Sequence, residues 1–357
     1  MSYMSLEDFK SQFDLIFSRF LDSKMPEIEV VSPHLRSILE SSRNMWTEGG
    51  KRIRPYLCTL AYQAYGGTDV PAILFASFAL ELLHVFALVH DDIIDQSETR
   101  RGYKTLHTAL TKQHLQKKLH GDASHFGVSL AILIGDLLFS FSNEIVTQIS
   151  FPKNYVERAQ KLFYTIQQQL LLGEYEDVQA TAQLESVTED QVIRLMSRKS
   201  GRYSIEQPLQ FGTILSGKSE VYAKTAFGAF SKPLGIAFQL QDDILGTFGD
   251  PKKLGKPTDS DIRQGKPTLM VVYALKKISG DTKRTLLDIL GNQQATEKEI
   301  QYVRKILQKT GSDTYARKRA EEFSQEAQTA LAKMLDLPST FIEALTALTK
   351  FIVTRAN

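Results

Sequence analysis

The sequence predicts an all-α protein, and three observations lead to that prediction. No proline occurs between Pro71 and Pro152, between Pro152 and Pro208, or between Pro267 and Pro338. These stretches are rich in Leu, Ala, Gln, Glu and Lys, and their apolar residues recur at three- and four-residue steps. The sequence also lacks alternating, strand-like runs joined by hairpin turn residues. We therefore expect one bundle of about ten or more long helices.

The elements can be followed in order along the chain. The first helix is predicted near the N-terminus, where apolar residues form one stripe: Leu6, Phe9, Phe13, Ile16, Phe17 and Phe20. Breaks between helices are predicted at residues 48–55, 65–71, 120–124 and 248–267, where Gly, Pro, Asp and Ser cluster. The basic, histidine-containing segment 111–125 is expected to be a solvated loop. None of the breaks is long enough for a domain linker, so residues 1–357 are expected to form a single domain.

The composition is that of an ordinary globular protein and argues against several functional classes. The formal net charge of +2 is too small to attract nucleic acid by bulk charge. Cys58 is the only cysteine, so neither an intramolecular disulfide nor a thiolate zinc cluster is expected, which fits a cytoplasmic protein. The N-terminus lacks the basic-then-apolar order of a signal peptide. Glu81 and His84 interrupt the long apolar run at residues 73–90, which predicts a buried helix rather than a membrane span.

Two apolar runs end in a pair of aspartates: residues 86–95 read FALVHDDIID, and residues 237–246 read AFQLQDDILG. Asp91 and Asp95 are four residues apart, so on a helix they share a face, with Asp92 rotated to the flank. Two carboxylates 4 Å apart repel by about 4 kcal/mol at an intermediate dielectric constant, and a cation between them removes that cost. Oxygen ligands without His or Cys favour Mg²⁺, which keeps positions for water or phosphate oxygens.

Asp242 and Asp243 would supply a second carboxylate wall if their helix faces the first. Cationic side chains that could bind phosphate groups lie in loop-like segments: Lys51, Arg54, Arg100, Arg101, Lys199, Lys256 and Lys266. Two carboxylate walls and two sets of cations suggest two diphosphates, one bridged by metal and one bound by side chains alone.

Each of these signals also has a simpler structural interpretation. An isolated aspartate pair is usually a helix cap or a solvated turn, and GGKRIRP could be a turn with surface charges. Two pairs that each follow an apolar run and precede basic residues are much less often accidental. Glu81 and His84 match the ExxH spacing of di-iron bundles, but none of the other histidines has a glutamate three residues before it. A di-iron site is therefore set aside, and His84 alone could be a packed core histidine.

Together these segments resemble the trans-isoprenyl diphosphate synthases, also called polyprenyl synthetases. The matching motifs run from about Gly49 to Thr268 in the family's order: GGKRIRP, ELLHVFALVHDDIIDQSETRRG, GVSLAILIGDLL, FQLQDD and GKPTDSDIRQGKPT. The resemblance implies an antiparallel helix bundle around a deep cavity, the isoprenoid synthase fold, usually as a homodimer. It also implies Mg²⁺-dependent condensation of isopentenyl diphosphate with an allylic diphosphate such as dimethylallyl, geranyl or farnesyl diphosphate.

The resemblance also implies roles for individual residues. Asp91 and Asp95, supported by Asp92, match the metal ligands of the first motif, and Asp242 matches the ligand of a third metal. Three Mg²⁺ ions per active site are therefore expected. The allylic diphosphate is expected to contact Arg100, Lys199, Ser200, Gln239, Lys256 and Lys266, and isopentenyl diphosphate to contact Lys51, Arg54, His84 and Arg101. Lys199 and Lys256 match lysines that pull on the leaving diphosphate, and Gln239 with Phe238 matches residues that line the reacting double bonds.

Three positions depart from the family pattern. Gly246 stands where many members have a third acid in the second motif, which leaves Asp242 and Asp243 there. Ser200 follows Lys199 where threonine is commoner, a small change because the hydroxyl is kept. Glu174 stands where glutamine is common and adds negative charge near the expected metals.

The residues below the first aspartates are expected to set the length of the product. Phe86 is five residues before Asp91, about 7.5 Å down the helix axis, with the small Ala87 beside it and Leu83 one turn deeper. A lone aromatic there, with an uninterrupted DDxxD, resembles the geranylgeranyl diphosphate synthases. We therefore expect a twenty-carbon product with Phe86 as the cavity floor. Farnesyl or longer-chain synthesis and a plain core role for Phe86 are the alternatives.

Other functions share part of this pattern. Terpene cyclases and head-to-head condensing enzymes also carry aspartate-rich motifs, but they would not need a second, metal-free diphosphate pocket. A non-catalytic regulatory subunit of a prenyl synthase tends to lose one aspartate motif, whereas DDIID is intact here. Gly246 is the one feature in favour of that alternative.

Overall fold

A bundle of α-helices makes up almost all of the computed structural model, which confirms the predicted all-α class. The structure describes residues 3–47, 50–100, 102–250, 258–334 and 336–353, without the side chains of residues 41, 42, 44–46, 200, 352 and 353. In chain order the helices are α1 (Leu6–Val31), α2 (Pro33–Thr47), α3 (Ile53–Ala64), α4 (Val70–Ile94), α5 (Leu106–Gln116), α6 (Ala123–Gln148), α7 (Lys153–Ala182), α8 (Glu189–Met196), α9 (Gln207–Leu215), α10 (Glu220–Ala226), α11 (Gly228–Phe248), α12 (Ser260–Gln264), α13 (Leu269–Lys277), α14 (Gly280–Ile289), α15 (Glu297–Lys309), α16 (Ser312–Ala332) and α17 (Ser339–Val353).

Side-chain caps fix the first turns of several helices. Ser5 accepts a hydrogen bond from the amide of Asp8 at the start of α1. Asp69 and Asp122 cap α4 and α6 in the same way, each accepting from the amide three residues later. Because these caps satisfy amides that have no partner inside the helix, they define where each helix begins. Both aspartates lie in segments that the sequence predicts to be breaks.

The apolar stripe of α1 packs against α4 at the centre of the main hydrophobic core. Phe13 and Phe17 are fully buried, and their ring centroids lie 5.2 Å and 5.3 Å from the ring of Phe78 on α4. Ile16 was expected in the same stripe but is exposed. This packing fixes the N-terminal half of α4, the helix that carries the first aspartate motif at its other end.

Two helices in the described part of the chain, α4 and α6, are long and apolar enough to cross a membrane. The most apolar window of α4 is 72% buried inside the protein, which supports its prediction as a core helix. The corresponding window of α6 is only 28% buried. One face of α6 therefore presents an unusually apolar surface to the exterior.

Two local features differ from the sequence prediction. Segment 111–125 is a solvated loop only at residues 117–122, because α5 extends to Gln116 and His114 is buried against the ring of Phe126. Two short strands, β1 (Thr99–Arg100) and β2 (Tyr103–Lys104), form an antiparallel ribbon that the helical pattern did not predict. This ribbon follows α4 and turns the chain back so that Arg100 lies beside the aspartates at the helix end.

A π-helical segment (Ser197–Glu206) joins α8 to α9 directly. A π-helix widens the turn and shifts the side chains that follow, and such segments occur frequently at functional sites. Lys199 lies in its first turn.

Candidate active site

A deep cavity of about 1340 Å³ lies between α4, α7, the π-helical segment and α11. Aspartates of both motifs line it: Asp91, Asp95, Asp242 and Asp243. The expectation that the two acidic helices face one hollow is therefore confirmed. Most pockets for small ligands have volumes of about 300–1,000 Å³, so this cavity has room for more than one substrate.

The first aspartate pair is organised by Arg100. The Nε of Arg100 donates to Asp92 Oδ1 at 2.7 Å, and its Nη2 donates to Asp91 Oδ2 at 3.0 Å. Asp91 and Asp95 line the cavity, whereas Asp92 is buried on the flank, as the helical spacing predicts. Burial raises the pKa of Asp92 to about 6 despite its guanidinium partner. Asp92 thus orients Arg100, while the carboxylates of Asp91 and Asp95 face the cavity.

Lys199 lies within reach of three carboxylates. Its Nζ is 2.6 Å from Asp177 Oδ2, 2.9 Å from Glu174 Oε2 and 3.6 Å from Asp91 Oδ1. Burial disfavours the charged amine, but these carboxylates outweigh it and raise the pKa of Lys199. The added charge of Glu174 therefore faces Lys199, next to the first aspartate pair, where the sequence departs from the family.

Lys266 makes the equivalent contact with the end of α4. Its Nζ lies 2.8 Å from Asp95 Oδ2, and Gln264 donates to the backbone carbonyl of Asp95 at 3.1 Å. Burial raises the pKa of Asp95, partly offset by Lys266. Burial would also raise the pKa of Asp91, but the positive charges of Lys199, Lys266 and Arg100 outweigh this effect and lower that pKa. The first acidic wall is therefore surrounded by cations that could also contact phosphate oxygens.

The second acidic wall is carried by α11. Gln239 Nε2 donates to Asp243 Oδ1 at 2.8 Å, one turn along the helix. Burial raises the pKa of Asp243 well above its usual range, and the neighbouring Asp261 and Asp242 raise it further. Carboxylates crowded in this way are stabilised in the charged form when a cation joins them.

The carboxylate of Asp261 occupies the space that a side chain at Gly246 would need. A Cβ atom at position 246 would lie 2.6 Å from Asp261 Oδ2. The second motif thus lacks an acid at position 246, but Asp261 of α12 places a carboxylate in the same space. Sequence reasoning missed Asp261, although it lies inside the quoted segment GKPTDSDIRQGKPT, because a single aspartate in a polar loop carries no periodic signal.

The residues of both walls fit a magnesium site by their chemistry. All the acidic ligands are carboxylate oxygens, and the ammonium groups of Lys199 and Lys266 already lie against the first wall, at Asp91 and Asp95, as stand-ins for a cation. Within the described ranges, no three His, Cys, Asp or Glu side chains surround one point as a ready-made metal cluster. Metal bound here would therefore depend on water and substrate oxygens for much of its coordination, as Mg²⁺ commonly does.

A second region of the cavity is basic, and its lining glutamate, Glu81, is paired with Arg52. Arg54 Nη2 donates to Ser204 Oγ at 2.6 Å, and its guanidinium lies 4.4 Å from the ring centroid of Tyr203. Lys51 Nζ lies 5.2 Å from the ring centroid of Phe238. Lys51, Arg54 and His84 all line the cavity, so the structure brings together three of the four residues predicted for isopentenyl diphosphate.

The predicted floor of the cavity is only partly supported. Ala87 lines the cavity, but Phe86 and Leu83 are absent from its described lining. The Phe86 ring instead packs between α4 and α6, with its centroid 4.9 Å from that of Phe139 and 4.6 Å from that of His90. Phe86 thus lies behind the wall, and its control of chain length stays a prediction.

Three predicted site residues cannot be placed. Lys256 and Arg101 lie outside the residues that the structure describes, and so does the side chain of Ser200. Their expected contacts with diphosphate remain predictions.

Comparison with known proteins identifies the family. The family model described as polyprenyl synthetase matches residues 36–307, which include both aspartate pairs and the basic region. This chain belongs to the polyprenyl synthetase family. The resemblance seen in its motifs is thereby confirmed.

Relatives of this polyprenyl synthetase span several product lengths. It is 32% identical to a geranylgeranyl diphosphate synthase of Sulfolobus acidocaldarius over 351 residues, 97% of this chain and 99% of that protein. It is 30% identical to an all-trans-nonaprenyl-diphosphate synthase (geranyl-diphosphate specific) of Rhodobacter capsulatus over 329 residues, 92% of each chain. A geranylgeranyl pyrophosphate synthase structure from Corynebacterium glutamicum, complexed with isoprenyl diphosphate and magnesium, matches with a TM-score of 0.92 and 28% identity, covering 99% of this chain and 100% of that one. The polyprenyl synthetase is a trans-prenyltransferase with the isoprenoid synthase fold.

Proposed function

We propose that this enzyme condenses isopentenyl diphosphate with dimethylallyl, geranyl or farnesyl diphosphate to give an all-trans prenyl diphosphate, chiefly geranylgeranyl diphosphate. One observation carries the proposal: a single cavity combines two facing carboxylate walls with a separate basic region formed by Lys51, Arg54 and His84. Carboxylates that bind metal suit a diphosphate that must leave. A cationic region whose lining glutamate is already paired with an arginine suits a diphosphate that is kept in the product.

The allylic diphosphate would bind between the acidic walls. Asp91, Asp95 and Asp242 would hold Mg²⁺, and the resemblance implies three such ions. Bound Mg²⁺ would neutralise charge on the departing diphosphate. Arg100 and Lys199 would donate to the same phosphate oxygens, because their present carboxylate partners can be exchanged for phosphate. Stabilising charge that develops during bond breaking lowers the barrier of the reaction.

The rest of the cavity would keep water away from the reacting carbons. Ala87, Leu88 and Leu170 supply apolar wall below the first aspartates, and Phe238 and Gln239 line the side of α11. Exclusion of water suppresses hydrolysis of a reactive allylic cation. Attack by isopentenyl diphosphate then forms the new carbon–carbon bond, and a proton passes to the released diphosphate. The proposed reaction requires no side-chain nucleophile.

Product analysis tests this function. The purified protein, with Mg²⁺ and isopentenyl diphosphate, is expected to extend each of the three allylic starters and to accumulate the twenty-carbon product, measured by mass spectrometry. Accumulation of a fifteen-carbon or a longer product would identify a farnesyl or long-chain synthase instead. Product from an allylic diphosphate alone would indicate a cyclase or a head-to-head enzyme. No product from the pure protein would indicate a regulatory subunit.

We further propose that the enzyme is a cytoplasmic homodimer that uses the exposed faces of α6 and α7. These two helices pack together, and they expose large apolar side chains: Ile132, Leu133, Leu171, Leu172 and Tyr175. Large exposed apolar side chains on two adjacent helices are typical of a protein interface. A second copy would also cover the apolar face of α6, which accounts for its low burial in the single chain.

Placing a charge on this surface should separate the subunits. Leu133→Glu combined with Leu172→Glu is expected to shift the protein from dimer to monomer in sedimentation velocity, with the dimer dissociation constant raised about a hundredfold or more. Leu115→Glu, an equally exposed leucine on α5, is the matched control and should leave the dimer intact. A double variant that sediments like the wild type would exclude α6 and α7 as the interface.

A further inference from the structure

The basic motif GGKRIRP contains an arginine that does not face solvent. Arg52 is buried, with its side chain only 1% exposed. Its guanidinium donates to Asp14 Oδ1 at 2.6 Å through Nε, to the carbonyl of Thr47 at 2.7 Å through Nη2, and to Glu81 through Nη1. One side chain therefore joins α1, α2 and α4 at the point where α3 begins.

The local backbone is shaped around this arrangement. Arg52 adopts a left-handed conformation with φ of 52°, which is uncommon for any residue other than glycine. Gly50 lies directly beneath its guanidinium, since a Cβ there would lie 2.5 Å from Nη1. The strained backbone persists because the contacts of the side chain hold it. Burial alone would lower the pKa of Arg52, but Glu81 and Asp14 outweigh it and raise that pKa.

Arg52 lies between two of the residues proposed to bind isopentenyl diphosphate. Lys51 precedes it, Arg54 follows two residues later, and both line the cavity. Glu81, its partner on α4, lies three residues before His84, which lines the same basic region. The three proposed ligands of the diphosphate are thus attached to one buried ion-pair cluster. Glu81, which resembled half of a di-iron motif in the sequence, pairs with an arginine instead.

We propose that Asp14 is a positioning residue for the metal-free diphosphate pocket and acts through Arg52. Asp14 belongs to α1, before residue 36, where the match to the family model begins. Its carboxylate holds the Nε side of the guanidinium while Glu81 holds the other side, so together they fix the backbone that presents Lys51 and Arg54. The inference rests on the proposed function, because it assigns isopentenyl diphosphate to this basic region.

Binding measured without catalysis tests the inference. Isopentenyl diphosphate is titrated calorimetrically into the full-length protein in EDTA, where only the metal-free pocket should bind it. Asp14→Asn is expected to weaken this binding about three- to tenfold, because only part of the free energy of the lost charge-assisted hydrogen bond reaches the pocket while Glu81 still holds Arg52. Asp14→Glu keeps a carboxylate and should restore most of the affinity. In turnover with Mg²⁺, the KM for isopentenyl diphosphate should rise by a similar factor, with kcat and the KM for the allylic substrate unchanged.

A matched control separates positioning from stability. Asp22 lies on the same helix and pairs with Arg43, away from the cavity, so Asp22→Asn removes an Asp–Arg ion pair of the same helix, although a more exposed one. It should leave both the affinity and the KM unchanged, whatever its effect on the melting temperature. Asp14→Asn binding as the wild type does, or raising both KM values equally, would overturn the inference alone. Wild-type protein that binds in EDTA but forms no product would instead overturn the proposed function.

Discussion

Replacing Asp91 with asparagine is expected to lower kcat by about a thousandfold or more, the largest effect that we predict for a single side chain. The change keeps the size of the side chain but removes the charge that Lys199 and Arg100 approach at 3.6 Å and 3.0 Å. A neutral amide binds Mg²⁺ far less well than a carboxylate, and its NH₂ group would point a donor at the metal. The departing diphosphate would then lose part of its charge stabilisation.

The measurement is steady-state turnover with both substrates saturating, repeated over a range of Mg²⁺ concentrations. We expect the Mg²⁺ concentration for half-maximal activity to rise together with the loss of kcat, because the lost ligand acts through the metal. Asp288→Asn, at an exposed aspartate of α14 that does not line the cavity, should behave as the wild type. Activity of Asp91→Asn within tenfold of the wild type would contradict the assignment of Asp91 as a metal ligand.

The acidic walls could be predicted from the sequence because their signal is local. Asp91 and Asp95 are placed by helical periodicity alone, and the apolar residues before them predict a buried helix. The same reasoning put Asp92 on the flank, where it is buried against Arg100. Whether the wall on α11 faced the first could not be derived from periodicity, since it depends on how the two helices pack.

Contacts between segments that are distant along the chain could not be predicted from the sequence. Asp261 enters the space beside Gly246 from a separate short helix, so neither position predicts the other. In the sequence, Arg52 is one of three basic residues in a predicted turn. Its burial is explained only by its left-handed backbone and by its partners Asp14 and Glu81. Charged, unpatterned composition also misled the prediction at His114, where an amphipathic helix end resembled a loop.

The direction in which the Phe86 side chain points could not be predicted from the sequence either. Neighbouring residues on a helix point about 100° apart, so depth below Asp91 does not decide which side chain faces the cavity. The packing of α4 against α6 places Ala87 at the cavity wall and turns the Phe86 ring toward Phe139. The ring is therefore a support for the wall, and its removal should act by opening the space behind Ala87.

Phe86→Ala is accordingly expected to lengthen the main product by at least one five-carbon unit. The lost ring leaves a void between α4 and α6, next to an alanine too small to close it, and a growing apolar chain gains free energy by filling such a void. The same substitution should cost about 3–5 kcal/mol of folding stability, so the assay is run well below the melting temperature of the variant. Product lengths are compared by mass spectrometry with isopentenyl diphosphate in excess.

Two companion variants decide what a change in length means. Phe139→Ala removes the partner ring on α6 and should lengthen the product as well, because it opens the same space from the other side. Phe78→Ala creates a similar void in α4, but its ring packs on Phe13 and Phe17 of α1, so chain length should stay unchanged despite a comparable loss of stability. Longer products from Phe78→Ala would indicate that the effect comes from a loosened helix. An unchanged product from Phe86→Ala would indicate that the floor is formed by side chains that line the cavity directly, such as Leu170.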